Sequence, residues 1–124
     1  MKITFEKFRS AFDNEDYTYS ELVHLFKALK SMDNESRKSF VKWFFTGELP
    51  DNQVEGISAE YLINNLNCKP LNAFIILDWL KSEPETAKYF VMKLPILFNS
   101  QENFAVDNNN SGEENESDFG EITD

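Results

Sequence analysis

Residues 18–32 read Thr18-Tyr19-Ser20-Glu21-Leu22-Val23-His24-Leu25-Phe26-Lys27-Ala28-Leu29-Lys30-Ser31-Met32. Thr18 and Glu21 have the spacing of a capping box, in which a hydroxyl and a carboxylate each satisfy an amide that the first helical turn leaves without a partner. Leu22, Leu25, Phe26, Leu29 and Met32 follow at i, i+3, i+4, i+7 and i+10, which is one face of a helix. The spacing therefore predicts a helix with one buried face. The same reading extends to either side of it.

Upstream, Phe5, Phe8, Ala11 and Phe12 share a helical face behind Thr4, a suitable N-cap. Downstream, Asp33 or Asn34 opens a third helix that Gly47 can end in a left-handed conformation. Pro50 to Gly56 reads as a polar loop. Ser58 caps a fourth helix, with Ile57 and Leu62 at the separation of a hydrophobic staple. Pro70 suits the first turn of a fifth helix, which runs to about Lys81. Ser82-Glu83-Pro84-Glu85 opens a sixth, which Pro95 is expected to close. No stretch alternates with β-branched residues, so no sheet is expected. The fold class predicted is all-α: a compact domain of about six short helices over residues 1–98.

The formal charge of −10 is unevenly spread. Residues 99–124 hold eight of the 22 acids and none of the 12 bases, leaving 14 acids against all the bases in the first 98 residues. The body is nearly neutral, which argues against a mimic of the DNA phosphate lattice and against a basic nucleic-acid face. Residues 99–124 are rich in Asn, Ser, Gly and acids, a composition that buries too little surface to offset the entropy of ordering. They are expected to form a disordered acidic C-terminal tail, dispensable for folding. Cys68 is the only cysteine, so the chain can form no internal disulfide. The N-terminal residues lack the apolar core of a signal peptide and no run approaches the length of a membrane span, which together suggest a cytoplasmic protein.

Twelve Phe, four Tyr and two Trp are more rings than a small interior readily takes. In Phe40-Val41-Lys42-Trp43-Phe44-Phe45 the apolar positions cover an arc of about 200°, roughly twice what a core-facing stripe needs. Trp43 and Phe45, at its margins, are candidate anchors for a partner, since aromatics are favoured where binding energy concentrates. In the fifth helix Phe74 falls on the stripe of Pro70, Asp78 and Lys81, which predicts an exposed ring among charges. Phe119 and Ile122 lie three residues apart among Asp118, Glu121 and Asp124, and read as apolar anchors of an acidic segment that folds onto a basic partner.

Residues 57–81 are similar in layout to a helix-turn-helix, with Leu66-Asn67-Cys68 as the turn, yet the segment is neutral and its second helix offers few donors for base edges. Asp51–Leu62 and Asp107–Asp118 each echo a calcium loop. The first has Leu62 where the bidentate acid belongs, and the second has Glu114 where an apolar residue belongs, so no metal is expected at either. His24 is the only histidine and no third partner for it and Cys68 is identifiable, which leaves no catalytic group and no cofactor to name.

The reading is a non-enzymatic protein–protein interaction module. A small host or phage inhibitor or regulator of a nucleic-acid-handling protein fits, because such proteins carry the basic surfaces an acidic segment seeks. The alternatives are a helix-turn-helix transcriptional regulator built on 57–81 and a structural or assembly protein. No direct contact with nucleic acid or membrane is expected.

Overall fold

The computed structural model describes residues 1–12, 17–99 and 119–123, with side chains as far as Leu94 in the second stretch. The protein is mostly helical, and six helical segments match the six expected. It also contains four short strands that periodicity did not reveal. The described residues divide into two compact units: one takes Met1–Glu48 together with the C-terminal strand, and the other begins at Leu49.

The first unit opens with strand β1 (Lys2–Thr4), which runs straight into helix α1 (Phe5–Ala11). Thr4 makes the junction. Its backbone is still extended while its Oγ1 accepts a hydrogen bond from the Lys7 amide at 3.2 Å. Helix α2 (Tyr19–Lys30) has both halves of its capping box: Thr18 Oγ1 accepts from the Glu21 amide and the Thr18 amide donates to Glu21 Oε1. Its buried face is Leu22, Val23, Phe26 and Leu29, and Leu25 is only half-buried. Helix α3 (Asn34–Thr46) is capped by Asp33 Oδ1, which accepts from the Ser36 amide at 2.8 Å. It ends at Gly47 with φ +80°, a left-handed residue where glycine carries no Cβ penalty.

Strand β4 (Glu121–Thr123) corrects the expectation of a free tail. It pairs antiparallel with β1 in the register Lys2↔Thr123, Ile3↔Ile122 and Thr4↔Glu121. Side chains alternate across a strand, so Ile3 and Ile122 point inward together, each with 0% exposure, while the flanking residues point outward. Phe119 is also buried, edge-on to Phe5 with ring centroids 4.8 Å apart. Phe5, Phe8, Phe26 and Phe40 complete a core of interlocking rings, with Phe8 to Phe26 at 5.2 Å and Phe5 to Phe26 at 5.3 Å. Residues 100–118 of the expected tail, including the calcium-like stretch from Asp107, lie outside the described residues.

The second unit begins with a hairpin where a polar loop was expected. Strands β2 (Gln53–Val54) and β3 (Ile57–Ser58) pair through a two-residue turn. Both turn residues have positive φ, Glu55 at 54° and Gly56 at 79°, as a turn matched to the twist of a hairpin requires. Asp51–Leu62 is therefore a hairpin leading directly into a helical turn, not a ligand loop between two helices. Ser58 Oγ accepts from the Tyr61 amide at 3.1 Å, the cap expected at that position, and a π-helical turn spans Tyr61–Asn65. Helix α4 (Pro70–Ser82) starts on its proline, and helix α5 (Pro84–Asn99) follows after Glu83 alone.

Helix α5 continues past Pro95, where a stop was expected. A proline costs its helix one hydrogen bond but leaves its own φ close to helical. Ala59, Leu62, Cys68, Ala73, Ile76, Leu77, Leu80, Ala87, Val91 and Leu94 form the core of this unit. No helix among the described residues is long and apolar enough to cross a membrane.

Because Ile122 fills the first unit's interior, Ile122→Ala should destabilise the protein by about 2–5 kcal/mol, the range for truncating a buried aliphatic. Urea denaturation of the full-length variant checks this. A midpoint equal to that of the parent protein would mean that β4 contributes nothing to the unit.

Candidate interaction surface

Helix α3 carries more apolar surface than its unit can enclose. Phe40 and Val41 turn inward and are fully buried, whereas Trp43 and Phe44 are half-buried and Phe45 remains 41% exposed. The half-buried Phe12, just beyond the end of α1, lies against this row. Its ring is nearly parallel to Trp43 (13°, centroids 6.1 Å apart) and tilted against Phe44 at 6.1 Å. Phe45 stands edge-on to Phe44 at 5.1 Å. Four rings thus form a continuous ledge at the C-terminal half of α3. The ammonium group of Lys7 lies 5.9 Å from the centre of Phe45, a cation–π distance, and Lys42 reaches Glu48 at 3.5 Å beside it. Aromatic side chains of this kind offer large apolar area that costs little side-chain entropy to immobilise.

The predicted anchors separate cleanly. Trp43 and Phe45 sit at the two margins of the helical arc and are linked through the rings of Phe12 and Phe44. Phe74 does not reach the surface. It is 3% exposed, because α4 is enclosed on nearly every side and leaves only Asn72 and Ser82 fully exposed. Pro70, Asp78 and Lys81, assigned with Phe74 to a polar stripe, are themselves half-buried. Phe119 and Ile122 are brought together too, but inside the first unit rather than on a surface.

The second unit has exposed apolar residues that sequence reasoning passed over. Tyr89 (63% exposed) and Met92 (74%) are three residues apart on α5, and the Lys93 ammonium lies 5.1 Å from the Tyr89 ring. The signal was available: both residues fall off the Ala87–Val91–Leu94 stripe and between lysines.

Cys68 and His24 belong to different units. Cys68 is buried in the core of the second unit, where loss of solvent pushes its thiol up to about 11. At neutral pH it is a protonated, shielded sulfur rather than a nucleophile. His24 is exposed, and its Nδ1 lies 2.8 Å from the Ser20 carbonyl one turn back on its own helix. No group of three or more His, Cys, Asp or Glu side chains placed to hold a metal occurs among the described residues.

Comparison of the chain with protein-family models, with curated proteins and with solved structures returned no match. The functional reading therefore rests on the surface itself.

The thiol gives a direct test of burial. Folded protein at pH 7–8 should react with a thiol reagent many-fold more slowly than the same protein in urea. A raised folded-state pKa means that the unfolded thiol ionises first, so this group's contribution to stability is full below about pH 9 and is lost as pH rises towards 11. Labelling kinetics measure the first effect, and urea denaturation followed from pH 7 to 11 measures the second.

Proposed function

We propose that the protein is a non-enzymatic protein–protein interaction module whose first unit docks a partner through the ledge of Phe12, Trp43, Phe44 and Phe45. The observation that carries this reading is the exposed Phe45, edge-on to Phe44 and with the Lys7 ammonium 5.9 Å from its ring. Energetic anchors of interfaces have this composition: aromatic, pre-ordered, and ringed by residues that exclude water. The shielded thiol of Cys68 and the solitary His24 support a binding role over a catalytic one.

The class of partner follows from charge. Residues 100–118 carry six acids and no base, and in sequence they join α5 to β4, so the charge is tethered to the body at both ends. A protein with a basic surface is the complementary partner, and proteins that handle nucleic acid supply such surfaces. An inhibitor or regulator acting in the cytoplasm on a protein of that class is the form we favour.

A helix-turn-helix regulator is the second reading. It requires α4 to enter a major groove, and the burial of most of that helix, with only Asn72 and Ser82 exposed, weighs against it.

Phe45→Ala should leave the fold intact, since the ring is already partly in water, yet weaken partner binding by about 2 kcal/mol, chiefly through faster dissociation. Replacing the six acids of residues 100–118 by their amides should instead slow association and flatten its salt dependence, because long-range attraction is screened beyond about 8–10 Å at physiological ionic strength. Surface-plasmon kinetics against the partner recovered from the native host, at low and high salt, separate the two effects. If Phe45→Ala, shown folded by circular dichroism, bound as the parent protein does, the ledge would not be the interface. Submicromolar, sequence-specific binding of duplex DNA would replace this reading with the regulator.

A further inference from the structure

Helix α5 carries apolar side chains on two sides, and its own unit uses only one of them. Ala87, Val91 and Leu94 turn into the core, while Tyr89 and Met92 stay in water. Met92 is the most exposed large apolar side chain among the described residues. Glu85, Tyr89, Met92 and Lys93 fall at i, i+4, i+7 and i+8, which is one helical face, and all four are exposed.

The neighbouring charges are engaged within the same unit. Lys88 Nζ reaches Glu55 Oε1 at the hairpin turn at 3.3 Å, and Glu83 Oε1 accepts from Trp79 Nε1 at 2.8 Å. Glu85 makes no ion pair among the described residues, and the Lys93 ammonium lies 5.1 Å from the Tyr89 ring. The face therefore presents one acid four residues before Tyr89 and one base four residues after it.

That order is complementary to itself when reversed. Residues four apart form a ridge on a helix, and the commonest packing of two helices lays such ridges alongside each other. If two α5 helices cross antiparallel at Tyr89, Glu85 of each copy comes opposite Lys93 of the other. Tyr89 meets its own counterpart, and Met92 comes opposite the exposed Thr86. A two-fold axis makes each of the unlike contacts twice. A parallel crossing would instead set Glu85 against Glu85 and Lys93 against Lys93. We propose that this face of α5 is a homodimer interface, with a second copy of the chain as its occupant, paired antiparallel about Tyr89. One helical face buries less than the ~1,200 Å² at which stable interfaces begin, so the dimer is weak and exchanges readily. The face belongs to the second unit, and the proposal stands whether or not the aromatic ledge binds anything.

Sedimentation equilibrium of the full-length protein, from about 5 to 500 µM, should show a reversible shift from monomer towards dimer. Met92→Asp, shown folded by circular dichroism, should stay monomeric over that range. Glu85→Lys and Lys93→Glu should each raise Kd by about tenfold or more, because the symmetry turns two attractions into two repulsions at once. An equimolar mixture of these two variants joins a face with two lysines to a face with two glutamates, and should associate at least as tightly as the parent. The double variant Glu85→Lys/Lys93→Glu should return to within about threefold of the parent Kd. A parent protein that is monomeric at every concentration would overturn the proposal and leave the face to a different protein. A dimer that Met92→Asp leaves intact would overturn it by moving the contact to another surface. Equal association of both single variants, their mixture and the parent would overturn the antiparallel pairing.

Discussion

The pairing of Ile3 with Ile122 is the constraint on which the first unit depends. Neither residue has a plausible interior without the other: β1 is three residues long, and a strand that short has no stability of its own. Once the two strands pair, Thr4 is fixed where it ends one element and caps the next. That in turn sets the direction of α1 and delivers Phe5 and Phe8 to the rings of Phe26 and Phe40. The basic side chains of α2 and α3 then close over the strand by binding its carbonyls, with Lys27 and Lys30 on the last turn of α2, where the helix dipole favours cations.

The helices were legible because their signals are local. Thr18 with Glu21, Asp33 with Gly47, Ser58 and Pro70 each act within one or two turns, and each does in the structure what its chemistry requires. The strands were not legible, for physical reasons. Three residues show too little alternation to register, and β1 finds its partner at the far end of the chain, so its pairing leaves no local trace. The hairpin had a signal of another kind. Glu55-Gly56 sits between Val54 and Ile57, but glutamate is an uncommon residue at a position of positive φ, and the turn looked like a polar loop.

Among the candidate anchors the same rule governs which exposures could be read from the sequence. The over-wide arc of α3 is a property of one helix, and Trp43 and Phe45 at its margins are half-buried and exposed respectively. The burial of Phe74 depends on how many sides of α4 are covered, which is a property of the assembled fold, and charges three or four residues away said nothing reliable about it. Phe119 and Ile122, which stand out by apolar spacing in an acidic context, are buried in the first unit, where Lys27, Lys30 and Arg37 lie against their segment.

Building one unit from distant parts of the chain also orders its synthesis. The second unit is contiguous from Leu49, so it can fold while the ribosome is still adding residues. The first must wait until residue 123 has emerged, about 75 residues after α3 is complete and about 4–15 seconds at ordinary rates of translation. During that interval Ile3, Phe5 and their neighbours lack the strand that covers them, so apolar side chains stay in water that the finished unit buries. The half of the protein translated first is therefore the half that matures last.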